Sequence, residues 1–170
     1  PFLTANTITE TGLPLLAPTG LKSFGKGKAR VTIGFIGLTL TGTTALVAPA
    51  GIAGLTFADE AETANRLIPR LKAQGADAIV VLIHQGVFTT VGPNDKSCGG
   101  MTGDLMPVLD KLDPAVDVVV SGHTHVAYIC DYAKLNPAKP FLVTSAGKNG
   151  MFLSDIRLTI DPVAGRVLAK

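Results

Sequence analysis

Three histidines, His84, His123 and His125, are the only imidazoles in the chain, and each follows a run of apolar β-formers. His84 closes DAIVVLIH; the other two close DVVVSGHTH. Imidazole is the commonest neutral nitrogen ligand for zinc, manganese or iron, provided that an acceptor orients its second nitrogen. His123 and His125, separated by Thr124 alone, can both turn toward one site while the threonine points away. Gly122 supplies a residue able to take positive φ, giving a sharp exit from the strand. A single histidine in such a place reads as a hydrogen-bonded core or surface residue. The clustering of all three at strand ends is what predicts a metal site.

Other chemistry is weaker. Cys98 and Cys130 are the only thiols and fit no C-x-x-C metal spacing. A disulfide and two free thiols both remain open, as does a small zinc site built from His123, His125 and Cys130 that would leave Cys98 single. A disulfide would close a loop of about 30 residues, constrain the unfolded chain by roughly 3.5–4 kcal/mol, and imply an oxidising compartment. No G-x-S-x-G nucleophile elbow is present. GLKSFGKGKAR sets Gly20, Gly25 and Lys26 at a P-loop-like spacing, but Gly27 stands where a metal-binding Ser or Thr is required and a strand pattern follows, which predicts a hairpin turn. The glycines of IGFIGLTLTGTT lack the following helix that a phosphate cradle uses, so they read as points of close backbone approach.

The elements that must position the histidines follow from periodicity. FLTAN and RVTIGFIGLT read as strands, the latter between GKGK and TGTT. FADEAETANRLIPRLKAQ, residues 57–74, carries acids early and bases late, with Ala61, Ala64, Leu67, Ile68 and Leu71 at helical spacing; Pro69 predicts a bend and Gly75 a stop. DAIVVLIH, the short helix LMPVLDKL and DVVVSGH then form a strand–helix–strand unit whose apolar strands are of the kind covered on both faces. A right-handed crossover lays the two strands parallel and brings the three histidines to one rim, beyond the carboxyl ends where open α/β sheets place ligands. PFLVTSAG, FLSDIRLTID and a DPVAGR turn read as antiparallel β, with alternation at Ile156, Leu158 and Ile160. The fold class is α/β.

Composition bounds the function. In 170 residues, 46% are hydrophobic and 16% charged, which excludes a disordered chain and allows one domain or a piece of a larger one. A net charge of +2 with dispersed Lys and Arg offers no stripe for a nucleic-acid backbone, and no apolar run reaches the roughly 18–20 residues needed to span a bilayer. Neither a nucleic-acid polymer nor a membrane is expected as partner. The chain opens without Met on PFLTANT, so residues upstream are expected.

IGFIGLT, VVLIHQG and DVVVSGHTHVAYIC together resemble the calcineurin-like metallophosphoesterase superfamily, most closely the secreted bacterial 5'-nucleotidases, 2',3'-cyclic-nucleotide phosphodiesterases and UDP-sugar hydrolases. The resemblance runs from the ANT segment to SDIRLTID. It implies a layered α/β/β/α sandwich, here partial, and a phosphoric ester hydrolase with two divalent metal ions of the Zn, Mn, Fe or Co class. His84 and His123 would bind one ion and His125 the other. It also implies that Cys98 and Cys130 form a disulfide and that the protein is periplasmic or extracellular.

The departures are large. The family's D-x-H, G-D and G-N-H-[DE] elements, which supply a bridging Asp, an Asn ligand and the catalytic His, have no counterpart here and would precede Pro1; the nucleotide-gripping C-terminal domain is likewise missing. Residues 1–170 therefore read as the C-terminal half of a metallophosphoesterase catalytic domain, with no catalytic residue of its own and little activity alone. Its expected partners are a nucleotide or other phosphate-ester substrate and the other half of the domain. An uncovered apolar sheet face would favour a homo-oligomer. A non-catalytic metal-binding or interaction fragment of the same scaffold is the alternative, and a flavodoxin-like binding domain with incidental histidines a third.

Overall fold

The computed structural model describes residues 2–170. In chain order its strands and helices are β1 (Thr7–Thr9), β2 (Thr19–Phe24), β3 (Val31–Thr39), β4 (Leu55–Phe57), α1 (Glu60–Ala73), β5 (Ala78–His84), α2 (Met106–Lys111), β6 (Val118–Val120), β7 (Ala127–Asp131), β8 (Leu142–Ala146), β9 (Thr159–Asp161) and β10 (Arg166–Ala169). A six-stranded sheet runs β2-β3-β5-β6-β8-β7, in which β3, β5, β6 and β8 are parallel and the edge strands β2 and β7 antiparallel. β1 with β4, and β9 with β10, form separate antiparallel pairs.

The strand–helix–strand reading holds, and the parallel register of β5 with β6 pairs Leu82 with Val120. Each of these strands is tied at its start by the aspartate that precedes it. Asp117 Oδ2 accepts from Ile79 N at 2.9 Å, and Asp77 Oδ2 from Thr32 N at 2.6 Å. The sheet thus has one end pinned by carboxylates and the other free to carry histidines.

Alternation along each strand separates two apolar faces. Ile36, Leu38, Ile79, Val81, Ile83, Val119 and Val143 join the main core with both helices. Val80, Val118 and Leu142 face the other way, against Ile33, Phe35, Leu82, Val120, Ile156 and Leu158. A hollow of about 430 Å³ stays open on this second face, floored by Val80 and Val118 and reached by Phe24 and Ile160.

α1 starts at Glu60, later than residue 57, because Phe57 ends β4 and Asp59 caps the helix, its Oδ1 accepting from Glu62 N at 2.9 Å. Ala61, Ala64, Ile68 and Leu71 are buried by it, each large aliphatic stabilising by about 1.5–3 kcal/mol. The helix continues through Pro69, which sits on its exposed side, and Gly75 stops it at φ +87°. The hairpin expected at GKGK forms between β2 and β3 through a short 3-10 turn, Gly27–Ala29.

Three strand expectations change, and one strand is new. FLTAN is not a strand: Thr4 N and Ala5 N donate to Ala17 O and Gly37 O, so the segment crosses the sheet instead of pairing along it. A Cβ on Gly37 would stand 2.4 Å from Leu3 O, the close approach read from the glycines of IGFIGLT. AYICD, which the pattern did not reveal as a strand, forms β7. β8 lies parallel to β6 and antiparallel to β7, so PFLVTSAG is not part of a wholly antiparallel unit. Residues 153–158 form no strand; the alternation of Ile156 and Leu158 records burial against the second sheet face, not a ladder of hydrogen bonds. The hairpin resumes at β9, and DPVAGR turns with Asp161 Oδ1 accepting from Val163 N and Ala164 N.

Candidate functional site

His84 is the last residue of β5, and His123 follows β6, its neighbour in the sheet. The two rings meet there: His123 Nδ1 lies 3.4 Å from His84 Nε2, with ring centroids 5.2 Å apart and planes crossed at 74°. His84 and His125 are exposed and His123 half-buried. Partial burial, followed by the charges of His123 and His125, holds the His84 imidazole below its ordinary pKa. A ring kept neutral presents a lone pair, which is the form a metal takes.

The backbone carries strain at this point. The residues in the left-handed region are His123 at φ +68° and His125 at φ +63°, not Gly122, so the sharp exit is made by the histidines themselves. Thr124 N donates to Gly122 O at 2.8 Å across His123, closing a γ-turn of the rarer hand. Non-glycine residues held this way cost of order 1 kcal/mol each and persist where their surroundings over-determine them. Here the surroundings are two loops locked together. Gly122 N donates to Gln85 O at 3.1 Å, and Thr124 Oγ1 to Val87 O at 2.8 Å. A Cβ on Gly86 would stand 2.1 Å from Gly122 O, so no other residue admits this approach.

Several supporting residues carried no sequence signal. Gln85 is buried and accepts from Gly86 N through Oε1. Ser121 and the buried Tyr128 share a hydroxyl hydrogen bond, and Ser121 Oγ also donates to Thr144 O, tying the exit of β6 to β7 and β8. Burial raises the Tyr128 phenol above its ordinary pKa, so it stays a donor. At the exit of β3, fully buried Asn6 donates to Thr39 O and Ala58 O and accepts from Thr39 N. Only a buried amide with both functions could have marked Asn6, and sequence pattern does not report burial of a lone polar residue.

Two hollows flank His123. One of about 470 Å³ lies among Leu40, Thr41, Asp59, Glu60 and Lys111, and another of about 340 Å³ among Gly86, Phe88 and Thr124; Gln85, Asp104 and His123 border both. Glu60 is not free to ligate, since it is buried and its Oε1 caps the turn at Thr41 N, 2.7 Å away. Among the described residues no group of three or more His, Cys, Asp or Glu side chains is placed to hold a metal ion. The imidazoles suit a metal in kind, but the donor set among the described residues does not make a complete centre.

Cys98 and Cys130 are joined as a disulfide, both buried, with Cα atoms 4.9 Å apart. The bond removes Cys130 from any zinc site and pins the 88–102 loop, which borders the smaller hollow, to edge strand β7. No helix is long and apolar enough to cross a membrane among the described residues.

No family model matches the chain. It is 32% identical over 168 residues to the cell wall protein Lmo0130 of Listeria monocytogenes, a match covering 96% of this chain and 21% of that protein. Among solved structures it is similar to the calcineurin-like phosphoesterase YfkN of Bacillus subtilis, with a TM-score of 0.63 and 22% identity over 87% of this chain and 46% of that one. A putative 5'-nucleotidase of Staphylococcus aureus gives a TM-score of 0.59 and 28% identity, covering 87% of this chain and 27% of that one. The chain spans about a fifth of the length of the cell wall protein and less than half of either solved chain.

Proposed function

The chain carries the fold of the calcineurin-like phosphoesterases, and from that premise we propose that it contributes His84, His123 and His125 to the dinuclear metal centre of a hydrolase acting on nucleotide-type phosphate esters. The observation that carries this reading is the approach of His84 and His123 to 3.4 Å at the ends of adjacent parallel strands. When bound, two divalent ions of the Zn, Mn, Fe or Co class supply Lewis acidity and a water acidic enough to act as a nucleophile near neutral pH. The chain's own part is to hold. The strand ends fix the ring positions, the strained 122–125 turn aims His123 and His125, and Gln85 with Gly86 keeps the two loops in register.

Neutral imidazoles cannot by themselves hold two cations roughly 3.5–4 Å apart, because the ions repel strongly without a carboxylate between them. The bridging carboxylate and remaining ligands therefore come from residues outside this chain, with residues 1–170 as one part of a catalytic domain. Base and sugar selectivity also lies outside it. The disulfide and the likeness to a cell wall protein support a periplasmic or extracellular location. The open hollow on the second sheet face supports a covering layer, either the rest of a longer polypeptide or a second copy, and solution sizing of the 170-residue chain separates the two.

The test compares the 170-residue chain with the longer polypeptide that contains it, using Mn²⁺ and bis-(p-nitrophenyl) phosphate. The longer polypeptide should hydrolyse the ester, the chain alone should not, and His123→Ala in the longer form should lower the rate by about 100-fold or more. Robust Mn²⁺-dependent hydrolysis by the chain alone, lost in His123→Ala, would overturn the divided centre. An inactive longer polypeptide would overturn the hydrolase and leave a non-catalytic metal-binding scaffold.

A further inference from the structure

A groove of about 460 Å³ runs between α1 and the segment around β1, and it shares no lining residue with the hollows beside His123. One wall belongs to α1 and presents Arg66, Leu67 and Arg70; the other is apolar and presents Ile8, Leu13 and Leu16. Leu13 and Leu16 are 65% and 46% exposed and share one wall, where they leave a small apolar patch open to water. Arg66 and Arg70 are exposed as well and, among the described residues, form no ion pair; the salt bridges present use Lys111, Arg157 and Lys170. Two like charges one helical turn apart destabilise α1 slightly, an effect that Glu62, one turn before Arg66, offsets in part and that an anion between the two arginines removes.

The apolar wall is preorganised. Thr9 N donates to Leu13 O, Gly12 N to Thr9 O and Leu15 N to Thr7 O, each at 2.9 Å, and Ile8 bridges to Pro14. Gly12 at φ +78° makes the turn. A rigid wall saves the ordering cost that a mobile loop would impose on binding.

We propose that this groove binds an extended acidic peptide segment in which carboxylates alternate with apolar side chains. The charge argument selects the carboxylates: Arg66 and Arg70, without ion pairs among the described residues, stand one helical turn apart with their Cβ atoms about 5–6 Å from each other. Alternate residues of an extended chain repeat at roughly 6.5–7 Å and point to the same side. Successive carboxylates on one side can each meet one arginine in forked geometry. The residues between them face the opposite wall and cover Leu13 and Leu16. A free phosphate would satisfy the arginines but leave the leucines in water; a segment with both chemistries satisfies each wall.

Fluorescence anisotropy with a fluorescein-labelled ten-residue peptide of alternating aspartate and leucine tests this on the 170-residue chain. The peptide should bind saturably, less tightly as salt rises, while the lysine–leucine counterpart should not bind. Arg66→Ala with Arg70→Ala should weaken binding about five- to tenfold, the yield of two exposed ion pairs. Leu16→Ser should weaken it without changing the salt dependence. Both arginines are exposed, so circular dichroism melting should show the double variant as folded as the parent. No binding, equal binding of the two peptides, or an unaffected double variant would each overturn the proposal. Arginine-dependent binding to phosphatidylglycerol vesicles without peptide binding would also overturn it, in favour of a membrane surface.

Discussion

Gly86→Ala tests the idea that the two histidine-bearing loops are held by direct backbone contact. The added Cβ would lie 2.1 Å from Gly122 O and 2.7 Å from Thr124 Oγ1. An ordinary C···O approach is about 3.3 Å, so the loops must part by roughly 1 Å. Overpacking of this kind costs about 1–3 kcal/mol. The hydrogen bonds from Gly122 N to Gln85 O and from Thr124 Oγ1 to Val87 O span the same seam, and each is worth about 0.5–1.5 kcal/mol. Together these give a loss of about 2–6 kcal/mol. Urea unfolding should show it as a lowered midpoint with an unchanged slope, and the imidazole resonances of His84 and His123 should move together. Gly51→Ala is the control, because a Cβ there meets nothing within 4 Å. If Gly86→Ala unfolds within about 0.5 kcal/mol of the control, the seam is not sterically tight. If stability falls but the imidazole resonances stay in place, the seam does not position the rings.

Three further outcomes follow from the same structure. Replacing Cys98 and Cys130 by alanine opens a loop with a sequence separation of 32 residues and should lower unfolding stability by about 3.5–4 kcal/mol in a urea titration; equal stability of the oxidised and reduced parent would contradict it. Asn6→Ala strands Thr39 N, Thr39 O and Ala58 O without their buried partner and should cost about 2–4 kcal/mol, whereas a neutral result would mean that water replaces the amide. Asp59→Ala removes the cap of α1 and should cost about 0.5–2 kcal/mol near neutral pH. The backbone hydrogen bond from Glu62, aided by Lys111, holds the Asp59 carboxyl below its ordinary pKa. Its stabilisation is therefore present above the unfolded carboxylate value and lost as pH falls through the folded one, so the gap between parent and variant should close in acid. A gap that persists at low pH would show that the carboxylate charge is not what caps the helix.

The sequence by itself was enough for the parallel pair β5 and β6, a helix read over residues 57–74 with its stop at Gly75, the hairpin at GKGK and the arrival of His84 and His123 at one rim. These rest on local rules: apolar runs bounded by turn residues, helical spacing, and the handedness of a strand–helix–strand crossover. It was also enough to read the glycines of IGFIGLTLTGTT as points of close backbone approach, which Gly37 is, whereas Gly34 and Gly42 face side chains. FLTAN and FLSDIR misled for one reason. Alternation reports which side chains are buried, and burial can come from crossing over a sheet or lying on its face as readily as from pairing within it.

Tertiary structure alone decided the rest. Whether Cys98 meets Cys130 depends on where the 88–102 loop lands relative to β7, a distance that no spacing encodes. That His123 and His125, not Gly122, occupy the left-handed region follows from two loops locked across Gly86, a contact between residues far apart in the chain. The arginine and leucine walls of the α1 groove come from segments some 50 residues apart in sequence, each unremarkable alone. Periodicity is a one-dimensional record of one surface being buried; which surface meets which, and whether polar groups brought together find partners, is fixed only when the chain closes on itself.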